Sequence, residues 1–147
     1  MKVKIAALVV TGFAVAGISA LSLRAQDMSK SVWDGVYTQA QADRGKPLYN
    51  SSCGSCHGES LNGGEMAPPL AGGEFLSNWN GLSVGDLFDR IRTTMPLNKP
   101  GSLNRETNAD ITAYILAFNT FPAGQSELSS KSEVLKTVRI DSQKPSK

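Results

Sequence analysis

Two thiols and an imidazole stand within five residues, at Cys53-Gly54-Ser55-Cys56-His57. They are the only cysteines and the only histidine among the 147 residues. Three chemistries compete for such a spacing. A dithiol redox pair normally sits in a βαβ setting, and no strand pattern precedes Cys53. Half of a zinc site needs two further ligands, and only His57 is at hand. The third is covalent haem attachment, for which C-x-x-C-H is the recognised pattern. Two thiols three apart can each add to one of two neighbouring vinyl groups on a single porphyrin edge. The histidine that follows at once is then placed beneath the iron. The motif therefore reads as one haem c, held by two thioethers from Cys53 and Cys56, with His57 as a ligand to the iron. A single histidine excludes zinc and iron sites built on two or three imidazoles. No GxxxxGK[ST] or GxGxxG phosphate loop occurs.

The second iron ligand must come from the other face of the ring. The candidates are Met28, Met66, Met95 and Lys99. A methionine is more often a core filler than a ligand. Met66 follows the motif closely and suits the proximal side or the rim. Met95 comes after a further helix, in the loop Thr93-Thr94-Met95-Pro96, with enough chain to cross the ring edge. Met95 is accordingly the expected ligand. A thioether there favours reduced iron and raises its potential. It also fills the position that dioxygen or peroxide would take. The rival reading, a haem peroxidase or gas-binding domain, needs that position vacant and usually a distal acid–base residue.

The elements that must hold these groups read as all-α. Met1-Lys2-Val3-Lys4 opens a leader, Ile5 to Leu23 carries no charge, and Arg24-Ala25-Gln26-Asp27 follows. This is the form of a secretory signal peptide over residues 1–25, cut after Ala25 or, alternatively, after Ala20. An uncleaved anchor is the other reading. Removing Lys2, Lys4 and Arg24 from 15 basic groups leaves 12 against 13 acidic ones, net −1. Nucleic-acid binding, which needs a basic footprint, is thereby excluded. Residues 26–37 are irregular, 38–122 form the domain, and 123–147 form an extension.

Within the domain, Thr38 with Gln41 has capping-box spacing, and a helix follows over about 39–51, with Pro47 a threat of a kink. Residues 54–81 read as loop, with at most a turn near Glu74-Phe75-Leu76. Ser83 with Asp86 caps a helix whose stripe is Val84, Leu87, Phe88 and Ile91, ending near Thr93. Asn104 or Thr107 caps a third helix with the stripe Ile111, Tyr114, Ile115 and Phe118, ended by Pro122 and Gly124. The Ser- and Lys-rich tail is expected to be mobile or wrapped on the surface, with Val134, Leu135 and Val138 able to pack locally.

With the haem motif, the Met95-Pro96 loop, Gly45 and Tyr49 before the motif, Pro68-Pro69-Leu70 after it and Tyr114 in the closing helix, residues 36–122 resemble the class I c-type cytochromes. The resemblance implies a small cytochrome c fold of about three main helices, with long loops wrapped around the haem. It implies that the first and last helices cross closely, Gly45 facing Tyr114. It implies that the Pro68 carbonyl accepts a hydrogen bond from the His57 ring and that Leu70 packs on the haem. The stretch Ala71 to Trp79 is similar to small bacterial cytochromes that accompany quinoprotein alcohol dehydrogenases.

Further pocket residues follow from position. Trp79 either donates its indole N–H to a haem propionate or anchors its loop. Arg92 either pairs with a propionate or lies on a solvated helix face. Leu82, Leu87, Ile91 and Leu97 are expected walls, and Glu59, Glu65, Asp86 and Asp89 surface charges. A domain of this size needs the haem as a packing surface. The function expected is a periplasmic electron carrier, not an enzyme. Its partners would be other redox proteins: a quinoprotein dehydrogenase as donor, and a terminal oxidase or another cytochrome as acceptor. It would meet a membrane only if the leader is kept. The alternative is an electron-transfer subunit of a quinoprotein dehydrogenase or oxidase complex.

Overall fold

The computed structural model describes residues 28–146. The signal peptide expected over residues 1–25 lies outside them.

Fourteen residues from Gln39 to Ser52 form α1, and fourteen from Arg105 to Phe118 form α5. These two helices make the principal packing contact. A Cβ added to Gly45 would lie 1.9 Å from the Asp110 carbonyl oxygen and 2.9 Å from the Tyr114 Cβ. Both are inside van der Waals contact, so only a bare α-carbon permits this crossing. Gly45 does face Tyr114. The mean structure is helical, with α2 at Gly54–His57, α3 at Gly72–Trp79, α4 at Val84–Thr94 and α6 at Ser132–Leu135.

Local chemistry sets the helix ends. The Thr38 hydroxyl accepts from Gln41 N at 3.2 Å and starts α1, which runs on through Pro47. At Ser83 both capping-box bonds form, Asp86 N to Ser83 Oγ and Ser83 N to Asp86 Oδ2, each 3.0 Å. α4 then buries Val84, Leu87, Phe88 and Ile91 as the stripe requires. Asn104, rather than Thr107, caps α5, accepting from Thr107 N at 2.7 Å.

Three expectations are corrected. The stretch 54–81 is not all loop, because α3 occupies Gly72–Trp79. Two glycines and an uncapped Ala71 hide this helix from propensity. Its free Gly72 N–H is satisfied from elsewhere, by Asn119 Oδ1 at 3.0 Å. Phe75 (1% exposed) is buried and stacks with Trp79 at 6.2 Å. Secondly, Gln41 does not complete a capping box. Its amide pairs with the backbone of Leu128, donating to the carbonyl at 3.1 Å and accepting from the N–H at 2.6 Å.

Thirdly, the tail is packed, and it carries a strand. β1 (Lys30–Ser31) pairs in parallel with β2 (Val138–Arg139) in the register Lys30 to Val138. Two-residue strands are too short to show alternation. Leu128, Leu135, Val138 and Ile140 are buried, while Val134 stays exposed. Ile140 exchanges backbone bonds with the α3–α4 connection, receiving from Gly81 N and donating to Leu82 O, both at 2.8 Å. A Cβ on Gly85 would meet Lys136 N at 2.7 Å, so α4 is notched to receive the tail. The buried core therefore extends beyond 38–122 to both flanking segments, and more of its packing is protein on protein than the sequence suggested.

Asp89 joins tail to α4. It accepts from the Ser132 hydroxyl and lies 3.3 Å from Arg92 and 3.8 Å from Lys136. Burial pushes its carboxyl up, but the Ser132 hydrogen bond with Arg92 and Lys136 outweighs this and holds it below its usual range.

Two predictions follow from this packing. Gly45→Ala overpacks the α1–α5 crossing and lowers unfolding free energy by about 1–3 kcal/mol or more, read by denaturant melting. Asp89 has a lowered folded-state pKa, so its stabilisation is present above the ordinary carboxylate range and is lost as pH falls below about 4. Asp89→Asn should therefore melt lower at neutral pH and show a flatter acid limb in thermal melts taken from pH 7 to 2.5.

Candidate haem site

The Cys53 N–H donates to Tyr49 O at 2.8 Å and closes α1. Cys53 then opens α2, a single helical turn whose bonds run from Cys56 N and His57 N back to Cys53 O at 3.1 and 2.9 Å. Positions three and four apart on a helix share one side. The turn thus gathers Cys53, Cys56 and His57 together. Both thiols are unbridged; Cys56 is exposed and Cys53 half-buried. Burial, with the Cys56 charge adding to it, pushes the Cys53 thiol up to about 11. At neutral pH Cys53 is a thiol rather than a thiolate.

His57 is buried, with Nδ1 2.8 Å from the Pro68 carbonyl oxygen. A carbonyl only accepts, so Nδ1 carries the proton and donates. In the neutral ring this tautomer leaves the lone pair on Nε2, which is the form a metal ligand needs. The loop that brings Pro68 round is organised by backbone bonds: Gly63 N to His57 O at 2.9 Å, Leu70 N to Leu61 O at 2.8 Å, and Gly64 N to Ala67 O at 2.9 Å. Leu61 is fully buried at its centre in a left-handed conformation.

Two further residues hold this region that chemistry-bearing motifs did not single out as site residues. The Tyr49 hydroxyl donates to Gly58 O at 2.8 Å, directly after the histidine, and the ring stacks on Tyr114 at 5.4 Å. Burial, with Cys53 and Tyr114 nearby, holds its phenol well above the usual range. Asn119, at the end of α5, donates to Leu70 O and Ile115 O, each at 2.9 Å. Its position just past a helical stripe was the available signal.

Met95 caps α4, its N–H donating to Ile91 O at 3.0 Å, and its side chain packs against the core. Met66 stands 87% exposed on the Gly64–Ala67 turn. Ile91 is buried on the inner face of α4, and Leu70 and Trp79 pack against the core. Arg92 pairs with Asp89. Asp86 and Asp89, expected as plain surface charge, act as a helix cap and a tail anchor. Leu87, expected as a wall, is buried in the polypeptide core, whereas Leu82 and Leu97 are exposed.

The donor set fits a haem. Two free thiols on one helical turn suit a pair of vinyl groups, and the His57 ring is locked with its lone pair on Nε2. Leu82 and Leu97 offer apolar surface that the polypeptide leaves uncovered. Cys53, Cys56, His57 and Met95 would hold the group, with Ile91, Leu70 and Trp79 around it.

Residues 40–115 match the family described as cytochrome c oxidase, cbb3-type, subunit III. Cytochrome c-554(547) of Halothiobacillus neapolitanus is 31% identical over 101 residues, covering 67% of this chain and 97% of that protein. The sulfane dehydrogenase SoxCD of Paracoccus pantotrophus aligns with a TM-score of 0.46 at 23% identity, over 58% of this chain and 45% of that one. The family match begins in α1 and ends in α5, so it spans the helix crossing, both thiols, His57 and Met95, and the chain belongs to the c-type cytochromes.

Proposed function

We propose that the chain is a single-haem electron carrier, with one haem c bonded through Cys53 and Cys56 and its iron held by His57 and Met95. The bound group supplies an iron that gains and loses one electron, with no substrate bond made or broken. The observation that supports this most directly is the His57–Pro68 hydrogen bond, which leaves Nε2 free on the turn that carries both thiols. Pro68 strengthens His57 as a donor. Met95 favours the reduced state and keeps small ligands out. Trp79, packed against Phe75 and the core, would lie beside the group and could donate its indole N–H to a propionate. The leader over residues 1–25 directs export to the periplasm and is removed there. Partners are redox proteins met briefly across small interfaces, a quinoprotein dehydrogenase on the donor side and a terminal oxidase or another cytochrome on the acceptor side.

A second reading is an electron-transfer subunit of an oxidase complex. The family description, which names an oxidase subunit, favours it. Retention of an oxidase after mild detergent extraction separates the two.

Protein matured with haem should carry the mass of one haem under denaturing conditions, and Cys53→Ala with Cys56→Ala should carry none, by mass spectrometry. An unmodified wild-type mass would overturn the proposal. Met95→Ala should lower the potential and let the ferrous protein bind carbon monoxide rapidly, while Met66→Ala behaves as wild type. Flash photolysis and optical titration read both.

A further inference from the structure

Gly63 sits where the two ends of the His57 loop meet. Its N–H donates to the His57 carbonyl at 2.9 Å. Its α-carbon faces the peptide bond whose carbonyl receives the His57 ring. A Cβ there would lie 2.8 Å from the Pro68 carbonyl carbon, 2.6 Å from Pro69 N and 2.6 Å from the Ala67 oxygen. All three are backbone atoms, so no side-chain rotation can relieve the contact. The loop must move, and the Pro68 carbonyl must move with it. Gly63 also has φ +74°, which a residue bearing a Cβ adopts only at a cost.

We propose that Gly63 is a positioning residue for His57, acting through Pro68: the absence of a side chain at 63 sets how closely the carbonyl meets Nδ1, and so how strongly His57 donates to the iron. The proposal rests on His57 being an iron ligand. A weaker Nδ1–H bond makes the imidazole a poorer donor, which disfavours the ferric state. The potential should then rise.

The contact can be separated from the backbone strain. Gly81 has φ +83° with nothing within 4 Å of an added Cβ, so Gly81→Ala carries the strain alone. Gly63→Asn carries the contact with less strain, since asparagine tolerates left-handed backbone. In haem-loaded protein, Gly63→Ala and Gly63→Asn should both shift the one-electron equilibrium against a reference couple upward by about tenfold, or 59 mV. The ferrous His57 Nδ1–H should exchange faster with water by NMR. Gly81→Ala should melt lower but keep the wild-type potential. An unchanged potential in either Gly63 variant, or an equal shift in Gly81→Ala, overturns the positioning role while the haem reading stands. Failure of both Gly63 variants to attach haem, with Gly81→Ala attaching it normally, also overturns it, because the glycine would then serve folding alone. A wild-type protein without haem removes the haem reading and this inference together.

Discussion

A neutral imidazole has two tautomers, and a carbonyl held against one nitrogen selects between them by fixing where the proton sits. Here that carbonyl is Pro68's, 2.8 Å from His57 Nδ1. Much of the surrounding structure keeps those two groups in register. α1 delivers the motif at its C-terminal end, and Tyr49 inside α1 reaches back to the carbonyl of Gly58. The loop that returns Pro68 is closed by backbone bonds at Gly63 and Leu70. Asn119 fastens Leu70 to the end of α5. Since α5 is set against α1 by the crossing at Gly45, both ends of the hydrogen bond trace back to one helix pair. Packing at the crossing and chemistry at the ring are consequently coupled, although no residue belongs to both.

The legible part of this arrangement was what is local. The C-x-x-C-H spacing, the Ser83–Asp86 box and the stripes of α4 and α5 are short patterns whose physics is complete within one or two turns. The family resemblance added the glycine at the helix crossing and the proline carbonyl, and the structure contains both contacts. What escaped depends on partners distant in sequence. α3 has no cap of its own because Asn119 provides it from 47 residues away. Gln41 carried capping-box spacing, but a buried backbone pair at Leu128 is the stronger partner for its amide, being shielded from water. The tail looked unstructured because its buried residues, Leu128, Leu135, Val138 and Ile140, are separated by polar ones at no regular period.

The methionine distinction shows how position and environment combine. Met66 and Met95 are chemically identical donors. One stands in solvent on a tight turn, and the other leaves the end of α4 with its side chain against the core. A side chain that is already ordered loses less conformational freedom on binding a metal than one that is free in water. Ile91, which receives the Met95 N–H on its carbonyl, lies on the same buried stripe that seats α4. The Met95 backbone is therefore tied to that helix, while its side chain is held by packing.

The parallel pairing of Lys30 with Val138 joins the first described strand to the last. During synthesis, β1 leaves the ribosome more than a hundred residues before its neighbour exists. The helices that carry Cys53, Cys56 and His57 can meet before the strap arrives, since α5 ends at Phe118. Pairing the two strands directly would close a very long loop, and the packed helices shorten it beforehand. The order of emergence thus leaves an interval in which the thiols are already presented while the molecule has yet to be fastened shut.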